Sequence, residues 1–159
     1  MGIDPKKFRN TVGCFATGVT VITTTDSLGK PVGLTANSFT SLSLDPPMVL
    51  FCLDRKVASF QAFSEGGEFA VNILSKDQKD ISNRFATTGD DKWNDFDFVT
   101  WEGRSPIIPG SLANLECKAA DIFEGGDHII LTGEVIRMSV SDGSPLLYWK
   151  GGYAQLNVD

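Results

Sequence analysis

The chain has 159 residues, 42% of them hydrophobic and 21% charged, with a formal net charge of −6. That balance excludes a disordered chain, and the length suits a single domain, residues 1–159, large enough to bury a real core. The acidic surplus excludes a general affinity for nucleic acid, since no basic stripe exists to neutralise phosphates.

Asp4-Pro5 opens a helix, with Asp as N-cap and Pro at the first helical position. Phe8 and Val12 share one face of it at i, i+4, and Gly13 and Gly18 bracket its exit. Val19 to Thr25 is a β-branched run and reads as a strand. Asp26 to Gly29 makes a turn, and Pro31 starts a partner strand, so the pair forms a hairpin. Asp45-Pro46-Pro47 is expected to break strand pairing, because neither proline donates to a ladder. Met48 to Leu53 is almost continuously apolar and predicts a strand buried on both faces. Asp54 is placed to cap a short helix that ends at Gly66-Gly67, and Phe69 to Leu74 is again a strand. Ser75 and Gln78 fit a capping box for a helix running to about Phe85.

From Thr87 to Pro109 acids and aromatics mix without a period, including Gly89-Asp90-Asp91, Trp93, Phe96, Phe98 and Trp101. This reads as an Ω-loop packed through its rings, with a lid over a bound nucleotide as the alternative. Leu112 to Phe123 and His128 to Val140 predict a long hairpin turning at Glu124 to Asp127, and Leu146 to Trp149 a last short strand. Many strands joined by turns, with three short helices, indicate a mainly β fold: a closed or nearly closed antiparallel barrel. Strict β-α-β alternation and G-x-G-x-x-G are both missing, which disfavours a dinucleotide-binding α/β fold. Cys14, Cys52 and Cys117 are odd in number and share no C-x-x-C spacing, so neither a disulfide framework nor a metal site is expected. No apolar run approaches a membrane span and no signal-peptide pattern opens the sequence; the expected location is cytoplasmic, away from membranes.

The stretch Gly33 to Pro47, GLTANSFTSLSLDPP, carries small and hydroxyl-bearing residues where an ordinary strand carries bulk. Small side chains admit a flat ligand close to the backbone, and hydroxyls, an amide and N–H groups serve its acceptors. The bland alternative is a polar surface strand entering a proline turn. This stretch resembles the signature of the flavin reductase-like family of split barrels, the small partners of two-component flavin monooxygenases. The later FAVNIL, the Gln78 to Ala86 segment, GGDHIILTGEV and the closing PLLYWKGGY follow in the order expected of that family, so the resemblance covers the chain from about Phe8 to Tyr153.

The resemblance implies an FMN-binding split barrel of antiparallel Greek-key type, a homodimer with flavin sites near the subunit interface. It implies an NAD(P)H-dependent reductase that passes reduced FMN or FAD to a separate flavin-dependent oxygenase. Thr35, Ala36, Asn37 and Ser38 would form the slot wall and ring-edge contacts, and Cys52, Leu53 and Asp54 a second wall. Ser41, Ser59 and Lys56, near a helix start, offer hydroxyls and a charge for the phosphate, although plain capping explains such residues too. Phe85 and Ala86 either approach the flavin or serve as core. His128, the only histidine, stands as the catalytic candidate: it would position the nicotinamide or stabilise charge on reduced flavin. Tyr153 either meets the nucleotide or anchors the C-terminal segment. Hydride transfer of this kind needs no protein acid or base, so orientation and stacking should supply most of the rate. The matched residues hold no cluster of arginine or lysine for a 2′-phosphate, which points to NADH over NADPH. A flavin-binding electron-transfer protein without reductase activity is the alternative; an oxidase of the pyridoxamine-phosphate type shares the fold but fits these motifs less well.

Overall fold

The computed structural model describes residues 2–89 and 91–156; Asp90, named above in Gly89-Asp90-Asp91, lies outside the described residues. Helix α1 (Pro5–Val12) starts as its sequence dictates: the Asp4 carboxylate accepts the Lys7 N–H at 2.7 Å, with Pro5 in the first turn. Strands β1 (Thr17–Gly18), β2 (Thr20–Thr25), β3 (Pro31–Ala36), β4 (Thr40–Leu44) and β5 (Pro47–Asp54) follow. Helix α2 (Phe60–Glu65), strand β6 (Glu68–Ile73) and helix α3 (Lys79–Phe85) come next. The hairpin β7 (Ala113–Gly125) and β8 (His128–Val140), then β9 (Leu147–Trp149) and β10 (Gly152–Ala154), complete the chain.

Seven strands pair antiparallel in the order β3-β2-β6-β7-β8-β5-β4, and β1, β9 and β10 make a small second sheet. Strands β3 and β4 are therefore the two outer edges of the large sheet, yet only Asn37, Ser38 and Phe39 separate them in sequence. Four extended steps reach roughly 14 Å, whereas seven flat strands would set their edges roughly 29 Å apart. The sheet has to curl until its edges face one another. No ladder joins them, which leaves a barrel with a split.

Inside the curl, Phe51 meets Phe63 of α2 and Phe69 of β6 edge-to-face at 5.8 and 5.2 Å, with Val49, Leu53, Val71, Ile129 and Leu131 around them. Burying each such side chain contributes about 1.5–3 kcal/mol before entropy is charged. A second cluster holds Val21, Leu74, Phe85, Ile108 and Leu146 beneath α3. Central strand β2 tolerates its threonines because their hydroxyls are spent: Thr20 donates to the Ala36 carbonyl at 2.7 Å and Thr24 to that of Glu68 at 2.8 Å. The segment after α3 is held by its rings, with Trp93 and Phe96 edge-to-face on Phe85 at 4.8 and 5.0 Å. Buried Asn72 ties it to the sheet, accepting the Ile108 N–H at 2.8 Å and donating to the Val21 carbonyl at 3.0 Å.

Four local expectations change. The diproline does not break pairing: a cis Asp45–Pro46 bond makes the turn and Pro47 pairs with Leu44 as the first residue of β5, where its missing N–H is harmless. Strand β5 is buried on one face only, through Val49, Phe51 and Leu53, while Met48, Leu50 and Cys52 are half-exposed. Asp54 does not cap α2, which starts six residues later; its carboxylate accepts the Lys56 N–H at 2.9 Å and closes a tight turn instead. The β7–β8 turn narrows to Gly126 and Asp127, since Gly125 still pairs with His128 and Gly126 supplies a φ of 74°. The capping box at Ser75 forms as expected, the Gln78 side chain accepting the Ser75 N–H at 3.1 Å.

Gly133 sits where Phe69 crosses β8: a Cβ there would lie 2.5 Å from two ring carbons and 3.1 Å from Cys117 Cβ. Gly133→Ala should therefore cost roughly 1–3 kcal/mol in urea unfolding, and an unchanged midpoint would contradict this packing.

Candidate functional site

A cavity of ≈ 1140 Å³ opens in the split of the barrel. Edge strand β3 forms one wall through Val32, Gly33, Leu34 and Thr35, and the Asp54–Ser59 turn with α2 forms the opposite one. Phe85 to Gly89 and Lys92 close the near end. Thr24 to Ser27, Gly66 to Glu68 and Arg104 bound the far end. Because β3 pairs only with β2, every second peptide group on its outer side lacks a ladder partner.

Of the residues expected at the site, Thr35, Asp54, Lys56, Ser59, Phe85 and Ala86 line this cavity. His128 stands beside it: it pairs with Asp54 across β5 and β8, and the turn before it accepts the Arg55 N–H through the Asp127 carbonyl at 3.1 Å. The Arg55–Glu124 ion pair fastens the same two turns together. Ala36 ends β3 and Asn37 opens the crossing to the other sheet edge, just outside the cavity lining. Ser41 lies exposed on β4 and is not part of the cavity, so the three-member phosphate group of Ser41, Ser59 and Lys56 reduces to Lys56 and Ser59. Leu53 packs in the core cluster and does not line the cavity; strand alternation turns Cys52 away from the core in its place. Tyr153 anchors the C-terminal segment on α3: its hydroxyl donates to Asn83 Oδ1 at 2.8 Å and lies 2.8 Å from Ser82 Oγ, while its ring meets Tyr148 at 5.7 Å. Phe85 is both things at once, 1% exposed yet with ring atoms against the cavity wall.

The small polar residues of Gly33–Pro47 turn out to serve the protein more than a ligand. Gly33 is small because Trp93 and Phe85 press on it, a Cβ there falling 3.0 and 3.1 Å from their rings. The Thr35 hydroxyl donates to the Ser82 carbonyl at 2.7 Å. Ser38 Oγ donates to the Cys52 carbonyl at 3.1 Å and accepts the Cys52 N–H at 3.0 Å, a side chain standing in for the next rung of the β4–β5 ladder. What remains for a ligand is the exposed Asn37 amide, the open edge of β3, the Lys56 ammonium and the Ser59 hydroxyl, whose side chains make no hydrogen bond or ion pair among the described residues, although the Lys56 charge also reaches Asp127.

Those groups fit a flavin nucleotide. Peptide groups and an amide suit the carbonyl and ring-nitrogen edge of an isoalloxazine, and an ammonium with a hydroxyl beside it suits a phosphate. The cavity exceeds the roughly 300–1,000 Å³ of ordinary small-ligand sites. Beside it, Asp127 Oδ1 and His128 Nδ1 are 2.7 Å apart, and that hydrogen bond, then the imidazole's charge, lowers the Asp127 carboxyl below its usual range. The bond also fixes the imidazole by one nitrogen, and Nε2 makes no hydrogen bond among the described residues. Cys117 is buried beneath Phe69 with its thiol pushed up to about 12 by desolvation, then by Glu116, so it is inert. Among the described residues no group of His, Cys, Asp and Glu is placed to hold a metal ion.

Lys92 and Arg104 are cavity residues that pattern reading misses, because the 87–109 segment has no period to assign faces. The alternating acids and rings there were the one signal, and they report packing rather than direction.

A family model described as flavin reductase like domain matches residues 12–157, and the chain belongs to that family. It is 43% identical over 159 residues to the FMN reductase (NADH) of Agrobacterium fabrum, covering 98% of this chain and 88% of that protein. It is 44% identical to the reductase subunit HsaB of a flavin-dependent monooxygenase from Mycobacterium tuberculosis, covering 99% and 85%. Among solved structures, the NADH:FAD oxidoreductase SgcE6 of Streptomyces globisporus C-1027 superposes with a TM-score of 0.92 at 37% identity, covering 100% of this chain and 98% of that one. The chain spans only 48% of the length of another curated relative, a probable flavin reductase of Rhizobium meliloti.

Ser38→Ala leaves the N–H and carbonyl of Cys52 without their partner, at a cost of roughly 1–3 kcal/mol. Chemical denaturation of the variant measures this, and a loss below a few tenths of a kcal/mol would show that the serine is not a structural clasp.

Proposed function

We propose that the chain is an NADH-dependent flavin reductase, a single soluble cytoplasmic domain whose cavity in the barrel split is the flavin site. The carrying observation is the coincidence, in one cavity, of the open edge of β3 with Lys56 and Ser59, residues drawn from opposite sides of the split. Bound flavin supplies the ring that accepts a hydride from reduced nicotinamide. Asn37 and the outer peptide groups of β3 hold the ring edge, and Phe85, braced by Trp93 and Phe96, keeps that wall rigid. Lys56 and Ser59 hold the phosphate. His128, oriented by Asp127, presents Nε2 at the mouth and positions the nicotinamide amide or the charge that develops on reduction. The transfer asks no side chain to take a proton, so rate comes from orientation and from water kept off the reacting faces.

Reductase subunits of monooxygenases among the relatives support a separate oxygenase as the recipient of reduced flavin. A homodimer is supported by apolar side chains left exposed on β4 and β8: Leu44 on β4 is 92% exposed and Val140 on β8 82%, with Leu42, Ile136 and Met138 in the same two strands. No helix among the described residues is long and apolar enough to cross a membrane.

NADH oxidation, followed by loss of its absorbance, should need added flavin and rise with it. No flavin-dependent rate with FMN or FAD would end this reading. Lys56→Gln should raise the flavin KM by roughly tenfold or more, the worth of one charge-assisted contact to phosphate, while an unchanged KM would remove Lys56 from the site.

A further inference from the structure

The flavin reading uses only the near half of the cavity. Beyond Lys56 and Ser59 the same space continues past α2 to the β2–β3 tip and Glu68, where Arg104 stands at its edge. Arg104 is placed with care. Its N–H donates to Glu68 Oε1 at 2.6 Å and the preceding Gly103 N–H to Glu116 Oε1 at 2.7 Å, so two carboxylates clamp the backbone from below. Glu116 is fully buried, and a Cβ on Gly103 would fall 2.5 Å from Glu68 Oε2 and 2.9 Å from Glu116 Oε1, so the clamp closes around a glycine. The guanidinium itself makes no hydrogen bond, ion pair or ring contact among the described residues. The other arginines around the site are committed: Arg55 to Glu124, and Arg84 to the Lys92 carbonyl at 2.7 Å and the Phe96 ring.

The other charged groups toward the far end are carboxylates, Asp26, Glu65 and Glu68, each already accepting from the protein with lone pairs to spare. Acids repel another phosphate but accept from hydroxyl groups, as carboxylates do from ribose. A planar guanidinium stacks on a purine face or reaches a second phosphate. A neutral ribose and a purine, joined through phosphate to whatever Lys56 and Ser59 hold, match this pattern.

From this we propose that the far half of the cavity is an adenylate subsite, that its occupant is the adenosine half of FAD, and that Arg104 makes the protein prefer FAD to FMN. The proposal rests on the flavin reading above. FMN fills the near half alone and gains nothing from Arg104. Arg104 is exposed and its backbone is fixed independently of its side chain, so truncation spares the fold.

The test is equilibrium binding of each oxidised flavin, read by quenching of flavin fluorescence. Wild-type protein should bind FAD roughly tenfold more tightly than FMN, and Arg104→Ala should bring that ratio close to one, the loss falling on FAD. Adenosine, which lacks a phosphate, should compete with FAD and spare FMN. Equal wild-type affinities with flavin-dependent NADH oxidation intact would overturn the subsite and leave the reductase reading standing. An equal loss for both flavins in Arg104→Ala would overturn it too. Adenosine competing with NADH but not FAD would give the far end to the nicotinamide dinucleotide, again against the proposal. Binding of neither flavin would remove the flavin reading itself and the subsite with it.

Discussion

The constraint on which the rest depends is the three-residue crossing from β3 to β4. Because Asn37, Ser38 and Phe39 connect the two outer strands of a seven-stranded sheet, the sheet cannot lie flat. Curling buries Phe51, Phe63 and Phe69 in one interior and brings the free edge of β3 to face the β5 exit and α2 across a gap. The gap is the site. Ser38 secures the crossing by taking both backbone groups of Cys52, so the residue beside the candidate ligand contacts is also the clasp that holds the split at its width. Closing that gap with a further strand pairing would complete the barrel and abolish the cavity, so an incomplete ladder is the structural condition for binding.

An acidic chain that binds anionic nucleotides must do so locally. With a net charge of −6, the global field disfavours approach, at long range and within the Debye length. The cavity answers by position. Lys56 stands in a turn fixed by its own N–H to Asp54, and the peptide groups of β3 carry partial charge without any net charge. Asp26, Glu65 and Glu68 stand toward the far end, where hydroxyl donors rather than phosphates would meet them, and Asp54 beside Lys56 accepts that residue's N–H. Such a division lets sign vary along one groove, which total charge never reveals.

Much of the fold was legible because it is written in short-range chemistry. Asp4-Pro5, the β-branched run at Val19–Thr25 and the Ser75–Gln78 capping box each name their own conformation, and each formed. The diproline misled because chemistry alone says that proline ends a ladder; that Pro47 is the first residue of β5, one step before the β5–β8 ladder begins at Met48, follows only from the register. Asp54 misled in the same way, since an Asx turn and a helix cap use the same side-chain bond. At the site, residue types could be read but their partners could not. Thr35 and Ser38 look like ligand donors, and their hydroxyls are committed to carbonyls that lie 47 and 14 residues away. Leu53 and Cys52 differ by one step in a strand, and only the register decides which faces the core. Arg104 was invisible because the 87–109 segment has no period, and its backbone is set by two carboxylates on other strands, buried Glu116 and half-buried Glu68.

The central claim is that the split between β3 and α2 is where flavin binds. Amide hydrogen exchange with and without FMN reads this directly, since the outer peptide groups of β3 have no ladder partner of their own. Added FMN should slow exchange at Val32–Thr35 and in the Lys56–Ser59 turn while leaving the β7–β8 strand ends unchanged. Protection absent from both segments, with FMN demonstrably bound, would place the flavin elsewhere and contradict the claim.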